Sequence, residues 1–257
     1  GAQRNIQNGF CGGGSLPKVA RAALHFWEEP VISGEEGSGT VFFSGCNLRC
    51  VFCQNHNIAL GKSGVSVTPQ RLSDIFLELE EKGANNINLV TPTHFIPQIC
   101  EALAMASEQG LHLPIVYNTG SYECVKSLRM LEGIVDIYLP DLKYADDRLG
   151  FALSGTRDYF SMATAAIREM VRQTGPVVLE DGLLKRGVVI RHLILPGQVN
   201  AAKEVMDWVQ ENFERGEVLF SLMSQYTPEF ATDAPFANLH RRVTSFEYDS
   251  VMAHAEK

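Results

Sequence analysis

No stretch of this chain approaches the roughly 18 consecutive apolar residues that span a bilayer, and no basic, apolar, small-residue leader opens it. Neither a membrane partner nor export is therefore expected. Basic blocks are missing too: 22 Lys and Arg stand against 30 Asp and Glu, a formal net charge of -8. That balance leaves no electrostatic footprint for a nucleic acid. Internal repeats and low-complexity tracts are absent, which excludes solenoids and disordered linkers. Cysteine is sparse, six in 257 residues, too few for a disulfide scaffold. Three of the six, Cys46, Cys50 and Cys53, nevertheless crowd into one short segment. Crowding of that kind belongs to metal ligands in a reducing cytoplasm. The chain opens on Gly1 rather than Met, so the reading allows for residues upstream.

What is present suits one large domain. Apolar residues make up 45%, enough for a sizeable core. Residues 1–39 read as an N-terminal extension with glycine-rich loops near Cys11 and over 33–39. From residue 40 the pattern alternates. Short β-type runs fall at 40–44, 86–90, 114–117, 135–139, 188–195 and 218–222. Helical periods fall at 69–82, 96–109, 121–131, 157–174 and 200–213, with a loop before the fourth of them. Residues 225–257 read as a tail packing on that body. Strands alternating with helices through short links predict an α/β fold with a parallel sheet and right-handed crossovers. Periodicity leaves open whether six such units make an open barrel or a doubly wound sheet. In both, ligands bind at the C-terminal ends of the strands.

The candidate chemistry sits at those ends. Directly after the first predicted strand stands Gly45-Cys46-Asn47-Leu48-Arg49-Cys50-Val51-Phe52-Cys53, a C-x3-C-x2-C spacing. Three thiolates on one loop suit three irons of a cubane cluster and leave the fourth iron open, unlike four-cysteine ferredoxin spacings. With His56 the same cysteines also match the donors of a closed zinc site. Zinc sites of that type belong to small modules, whereas this loop lies at the mouth of an α/β body. Cys100 and Cys124 fall in predicted helices and read as buried packing residues.

A first strand followed by C-x3-C-x-aromatic-C resembles the radical S-adenosylmethionine (SAM) superfamily. The runs GTVFFSGCNLRCVFCQN, NINLVTPTHF, VYNTGSYE, YLPDLKYAD, RHLILPG and SQYTP, over residues 39–228, resemble pyruvate formate-lyase activating-enzyme-like iron–sulfur proteins. The resemblance implies a partial (β/α)6 barrel over 40–224. Its implied cofactors are a [4Fe-4S] cluster on Cys46, Cys50 and Cys53, and SAM. The implied activity is reductive cleavage of SAM to a 5′-deoxyadenosyl radical. Its implied partners are a flavodoxin- or ferredoxin-type electron donor and a protein target of the glycyl-radical-enzyme kind. Chemistry on a small molecule or another residue, and a scaffold holding a metal without turnover, stay open.

Matching position by position, the resemblance assigns SAM contacts to Phe52 and Asn55 beside the cysteines. It assigns others to Thr91 and Thr93, which stand where the family carries Gly-Gly-Glu, and to Asn118 after the third strand. Asp141 and Lys143 follow the fourth strand. Lys143 is expected to face the SAM carboxylate, with Asp141 holding it. Arg191 interrupts the apolar fifth strand and is expected near the SAM carboxylate or ribose, whereas neighbouring His192 reads as structural. Gln225-Tyr226 replaces a tyrosine–histidine pair, and Tyr226 is the candidate for the histidine's place.

Overall fold

The computed structural model describes residues 9–231 and 234–256. The predicted segments 1–8, 232–233 and 257 of the extension and tail lie outside the described residues. Six parallel strands form the body: β2 (Ser38–Phe43), β4 (Ile87–Val90), β5 (Ile115–Thr119), β6 (Ile137–Pro140), β8 (Leu183–Leu193) and β9 (Leu219–Met223). They pair in that order, β2 with β4, β4 with β5, β5 with β6, β6 with β8 and β8 with β9. This is the partial (β/α)6 barrel. All six strands coincide with the periodic runs in the sequence to within a few residues.

Each strand alternates. Leu89, Tyr117, Tyr138 and Ile190 point outward and are fully buried beneath the helices. The helices supply the matching stripes, including Leu72, Phe76 and Leu79 of α3 (Pro69–Glu81), Ile99 and Leu103 of α4 (Ile96–Glu108), Ile167 and Met170 of α7 (Tyr159–Thr174) and Val205 of α8 (Val199–Asn212). Burying each such side chain contributes about 1.5–3 kcal/mol. Local chemistry marks where α3 starts: the Thr68 hydroxyl accepts from the Arg71 amide, and Pro69 takes the first turn.

Five elements depart from the expectation. Residues Lys18–His25 of the expected extension form a strand, β1, antiparallel to β2. Two-residue β3 (Val65–Ser66) extends that edge. A helix α6 (Asp147–Ser154), N-capped by Asp146, occupies the expected loop. Near residue 181 a hairpin joins β7 (Val178–Glu180) to the start of β8. The helix expected over 121–131 shrinks to α5 (Val125–Leu128) and one 3-10 turn, because Ser121 takes φ 65° and turns the chain away. Cys124 consequently caps α5 and is exposed, and Cys100 is half-buried. In the tail, α9 (Ser245–Ala255) begins with a Thr244–Glu247 capping box.

The segment between β1 and β2 positions the site. Its single helical turn, α1 (Pro30–Ser33), lies at the N-terminal ends of the strands. Ile32 is fully buried against inward-pointing Val116, Ile137, Leu139 and Val189. The Asn85 and Asn86 side chains donate to the Ser33 and Ile32 carbonyls at 2.6 and 2.7 Å. The barrel floor is thus plugged by the chain itself.

Candidate active site

At the opposite end, the loop after β2 carries the three cysteines. Gly45 takes φ 98°, and a Cβ there would stand 2.2 Å from the Cys11 carbonyl oxygen. Only glycine lets the N-terminal segment approach so closely. Arg49 closes the loop on itself, its Nη1 donating to the Cys46 and Leu48 carbonyls at 2.6 and 2.9 Å. The Arg49 and Val51 amides donate to the Ser154 and Leu153 carbonyls, fastening the loop to the end of α6. Cys50 Sγ lies 3.0 Å from Ser154 Oγ. A helical turn, α2 (His56–Ala59), follows.

Cys46, Cys50 and Cys53 all line one cavity of about 350 Å3 at the C-terminal mouth of the barrel. A second cavity of about 600 Å3 lies against the same loop, beside Glu229 and Phe230. Burial, reinforced by neighbouring Cys50, pushes the Cys46 thiol up to about 12 and Cys53 in the same direction. Among the described residues, no three His, Cys, Asp or Glu side chains converge on a single ion. Three soft thiol donors on one rim suit a cubane cluster with one corner turned to the cavity.

Beside an apolar wall that includes Phe42, Phe43, Leu48, Val90 and Leu193, the same cavity carries two cations and two anions. Asp141 sits between two cations, with its Oδ2 2.7 Å from Lys143 Nζ and its Oδ1 accepting from Arg191 Nε at 2.8 Å. Burial alone would raise the Asp141 carboxyl, but Arg191 and Lys143 outweigh it and hold it below the usual range. Burial alone would lower Lys143, and Asp141 and Cys50 reverse that, so the ammonium persists. Arg191 is spent on its neighbours: Nη1 donates to Glu28 Oε1 at 2.6 Å and Nη2 to Asn118 Oδ1 at 2.7 Å. Asn118 and Asn88 in turn donate to Glu28 Oε2. Arg191 therefore acts as a cross-brace, and Lys143 carries the available cationic donors.

The loops after β4 and β5 are braced from behind. Thr91, which lines the cavity, takes φ 56° while its amide donates to the Asn118 carbonyl at 2.8 Å. Such a φ is strained for a β-branched residue. Thr93 turns away and donates to Glu123 Oε1, as do Thr119 and Tyr117, at 2.6, 2.6 and 3.2 Å. Burial pushes the Glu123 carboxyl up to about 7 against those donors.

The structure thus brings Phe52, Asn55, Thr91, Asn118, Asp141, Lys143 and Arg191 to the wall of the cysteine cavity, and places Thr93 in the brace behind it. Tyr226 is buried behind Phe52, 6.1 Å between ring centroids, and donates to the Leu239 carbonyl, while Gln225 lines the cavity. His192 donates from Nδ1 to the Leu142 carbonyl, and burial lowers it to about 4, a neutral structural imidazole. Sequence reasoning missed Glu28 and Glu123. Glu123 lies within the VYNTGSYE run, so a signal existed. Glu28, in an unremarkable His-Phe-Trp-Glu-Glu-Pro stretch, had none.

A parallel six-stranded partial barrel with a three-cysteine loop after its first strand defines a class, and comparison agrees. The family model of the radical SAM superfamily matches residues 40–209, and this chain belongs to that superfamily. Members of the superfamily use a [4Fe-4S] cluster and SAM, and these are its cofactors. Over 244 residues the chain is 28% identical to an uncharacterised protein of Methanocaldococcus jannaschii, covering 91% of this chain and 65% of that protein. It spans, then, just under two thirds of that relative's length. Among solved structures it is similar to SuiB of Streptococcus suis bound to S-adenosylmethionine (TM-score 0.53, 15% identity, covering 82% of this chain and 44% of SuiB). SuiB bound to its precursor peptide SuiA matches with a TM-score of 0.50 at 17% identity, covering 74% of this chain and 39% of that one. The FeFe-hydrogenase maturase HydG of Carboxydothermus hydrogenoformans gives 0.55 at 15% identity, covering 82% and 48%. These likenesses show the fold.

Proposed function

We propose that this chain reductively cleaves SAM at a [4Fe-4S] cluster held by Cys46, Cys50 and Cys53, and directs the radical to a hydrogen of a protein or peptide target, with glycine the leading residue. The observation that carries the reading is that the three cysteines and Asp141, Lys143, Arg191, Asn118 and Thr91 line one cavity. Bound cluster and SAM supply the one-electron cleavage and the 5′-deoxyadenosyl radical. The chain supplies binding, orientation and exclusion of water. Lys143, held by Asp141, offers its remaining N–H groups to a carboxylate. Thr91 and Asn118 offer neutral polar groups on the neighbouring loops, and Phe52 offers an apolar wall. The electron comes from a flavodoxin or ferredoxin.

Two features favour a large target. The cavity of about 350 Å3 has room for one cofactor-sized ligand, and the cavity of about 600 Å3 beside the same cysteines leaves space for part of a target next to it. Among the described residues β9 pairs only with β8, while the far edge of β2 is taken by β1 and that of β1 by β3, so the barrel does not close and its open side lies between β9 and the β3–β1 edge. The peptide-bound SuiB structure is a fold neighbour that takes such a target.

The test reconstitutes iron and sulfide anaerobically, reduces the protein with SAM and measures 5′-deoxyadenosine. Wild type should bind about four irons and turn over, and Cys50→Ala should lose both. Full turnover in Cys50→Ala, or zinc at stoichiometry in place of iron, overturns the reading. Adding candidate glycyl radical enzymes should yield a glycyl-radical doublet in the paramagnetic resonance spectrum. Turnover stimulated only by small metabolites would move the target to that class.

A further inference from the structure

Four charged side chains line the cysteine cavity: Lys143 and Arg191, and the carboxylates Asp141 and Glu28. Three of them sit on barrel strands or directly after one. Glu28 comes from the floor plug, which delivers it upward between the strands. Its carboxylate takes all its partners from barrel residues, Arg191 on Oε1 and Asn118 and Asn88 on Oε2. Its side chain is 13% exposed and that of Arg191 is 10% exposed. Next to it, Glu29 accepts from Ser221 of β9 at 2.9 Å, which fixes the plug to the last strand. Ile32, fully buried one turn further on, fixes it to β5, β6 and β8. Glu28 is thus a rigidly placed negative charge rather than a mobile surface group.

Its effect follows from counting. Leaving aside the cysteines that would hold the cluster, the lining without Glu28 would carry two cations and one anion, a net charge of +1. With it these four side chains sum to zero. Resting on the proposed SAM reading, we propose that Glu28 is a positioning and specificity-determining residue that makes the cavity select a cationic sulfonium ligand over its neutral thioether counterpart. SAM carries a sulfonium, an ammonium and a carboxylate, net +1. S-adenosylhomocysteine lacks the sulfonium and is neutral overall. The two ligands share nearly every contact and differ by the charge that Glu28 addresses. Removing one nearby negative charge in a partly buried site weakens a cation selectively. Loss of structure alone would weaken both ligands alike.

The experiment titrates reconstituted protein calorimetrically with SAM and with S-adenosylhomocysteine, in the wild type, Glu28→Gln and Glu28→Asp. Glu28→Gln should lower the ratio of SAM to S-adenosylhomocysteine affinity about tenfold, the effect of one unit charge roughly 12 Å away at an effective dielectric constant of about 20. Glu28→Asp, which keeps the charge, should keep the ratio even where both affinities fall. Should Glu28→Gln fail to fold, Gln225→Glu, which adds a negative charge to the cavity wall, should raise the ratio. An unchanged ratio in Glu28→Gln, or in Gln225→Glu where that variant is the one measured, overturns the role of Glu28. If wild type binds neither ligand, the SAM reading itself fails, a different outcome from two ligands bound at an unaltered ratio.

Discussion

Glu123, missed in advance, is the residue with the clearest pH signature. Fully buried, it ties Thr93 after β4 to Thr119 after β5, with one oxygen accepting three hydroxyls and the other, Oε2, without a hydrogen bond. Burial raises its carboxyl from 4.5 to about 7, so the folded chain holds a proton that the unfolded chain releases. Stability from this group is complete below about pH 4.5 and is lost as pH rises through about 7, on the order of 3 kcal/mol at most. His192 works in the opposite sense. Lowered from 6.5 to about 4, it makes the folded state gain stability as pH rises across that window. Denaturant unfolding at pH 5 to 8 should therefore show Glu123→Gln gaining on wild type as pH rises. Parallel curves would refute a neutral Glu123. At Lys143 the expectation concerns binding. Lys143→Ala should weaken SAM affinity by roughly 2–5 kcal/mol, because Asp141 is left facing the carboxylate site with one cation fewer. Calorimetry checks this, and unchanged affinity would make the Lys143–Asp141 pair merely structural. Asp141, Lys143 and Arg191 were legible because charge in or beside an apolar strand must be paired. The pairing of Lys143 with Asp141 was anticipated; that of Arg191 was not, since it turned to Glu28, 163 positions away.

At the scale of elements, the strands and long helices were readable because their apolar periods of two and 3.6 must face a core. Short or irregular pieces were not. The β1 run Lys-Val-Ala-Arg-Ala-Ala-Leu-His alternates weakly and becomes a strand through its pairing with β2. The floor plug has a single helical turn, too short for any period to register. Its anchor is Ile32, with no exposed surface. Ile32→Ala should cost about 2–5 kcal/mol in chemical denaturation, through lost burial and the cavity left behind. It should also speed amide exchange over residues 28–34 more than in β5 or β6. A cost below about 1 kcal/mol would mean that the plug is held by its hydrogen bonds to Asn85 and Asn86 instead.

For the whole molecule, the order β2-β4-β5-β6-β8-β9 places six loops at one end and the plug at the other. No helix among the described residues is long and apolar enough to cross a membrane. The parallel strands stop at six, with β1 and β3 added beyond β2, so among the described residues β9 has no partner on its other side. The sequence by itself determined the parallel α/β alternation, the three-cysteine loop after the first strand and the charged residues at later strand ends. Those are local patterns, carried by spacing and periodicity within a few residues. Only the tertiary structure decided that residues 26–37 close the barrel floor, that Glu28 balances Arg191, and that Glu123 braces two loops from behind. These are contacts between distant segments, set by which side chains the barrel's closure brings together, and no local period encodes them.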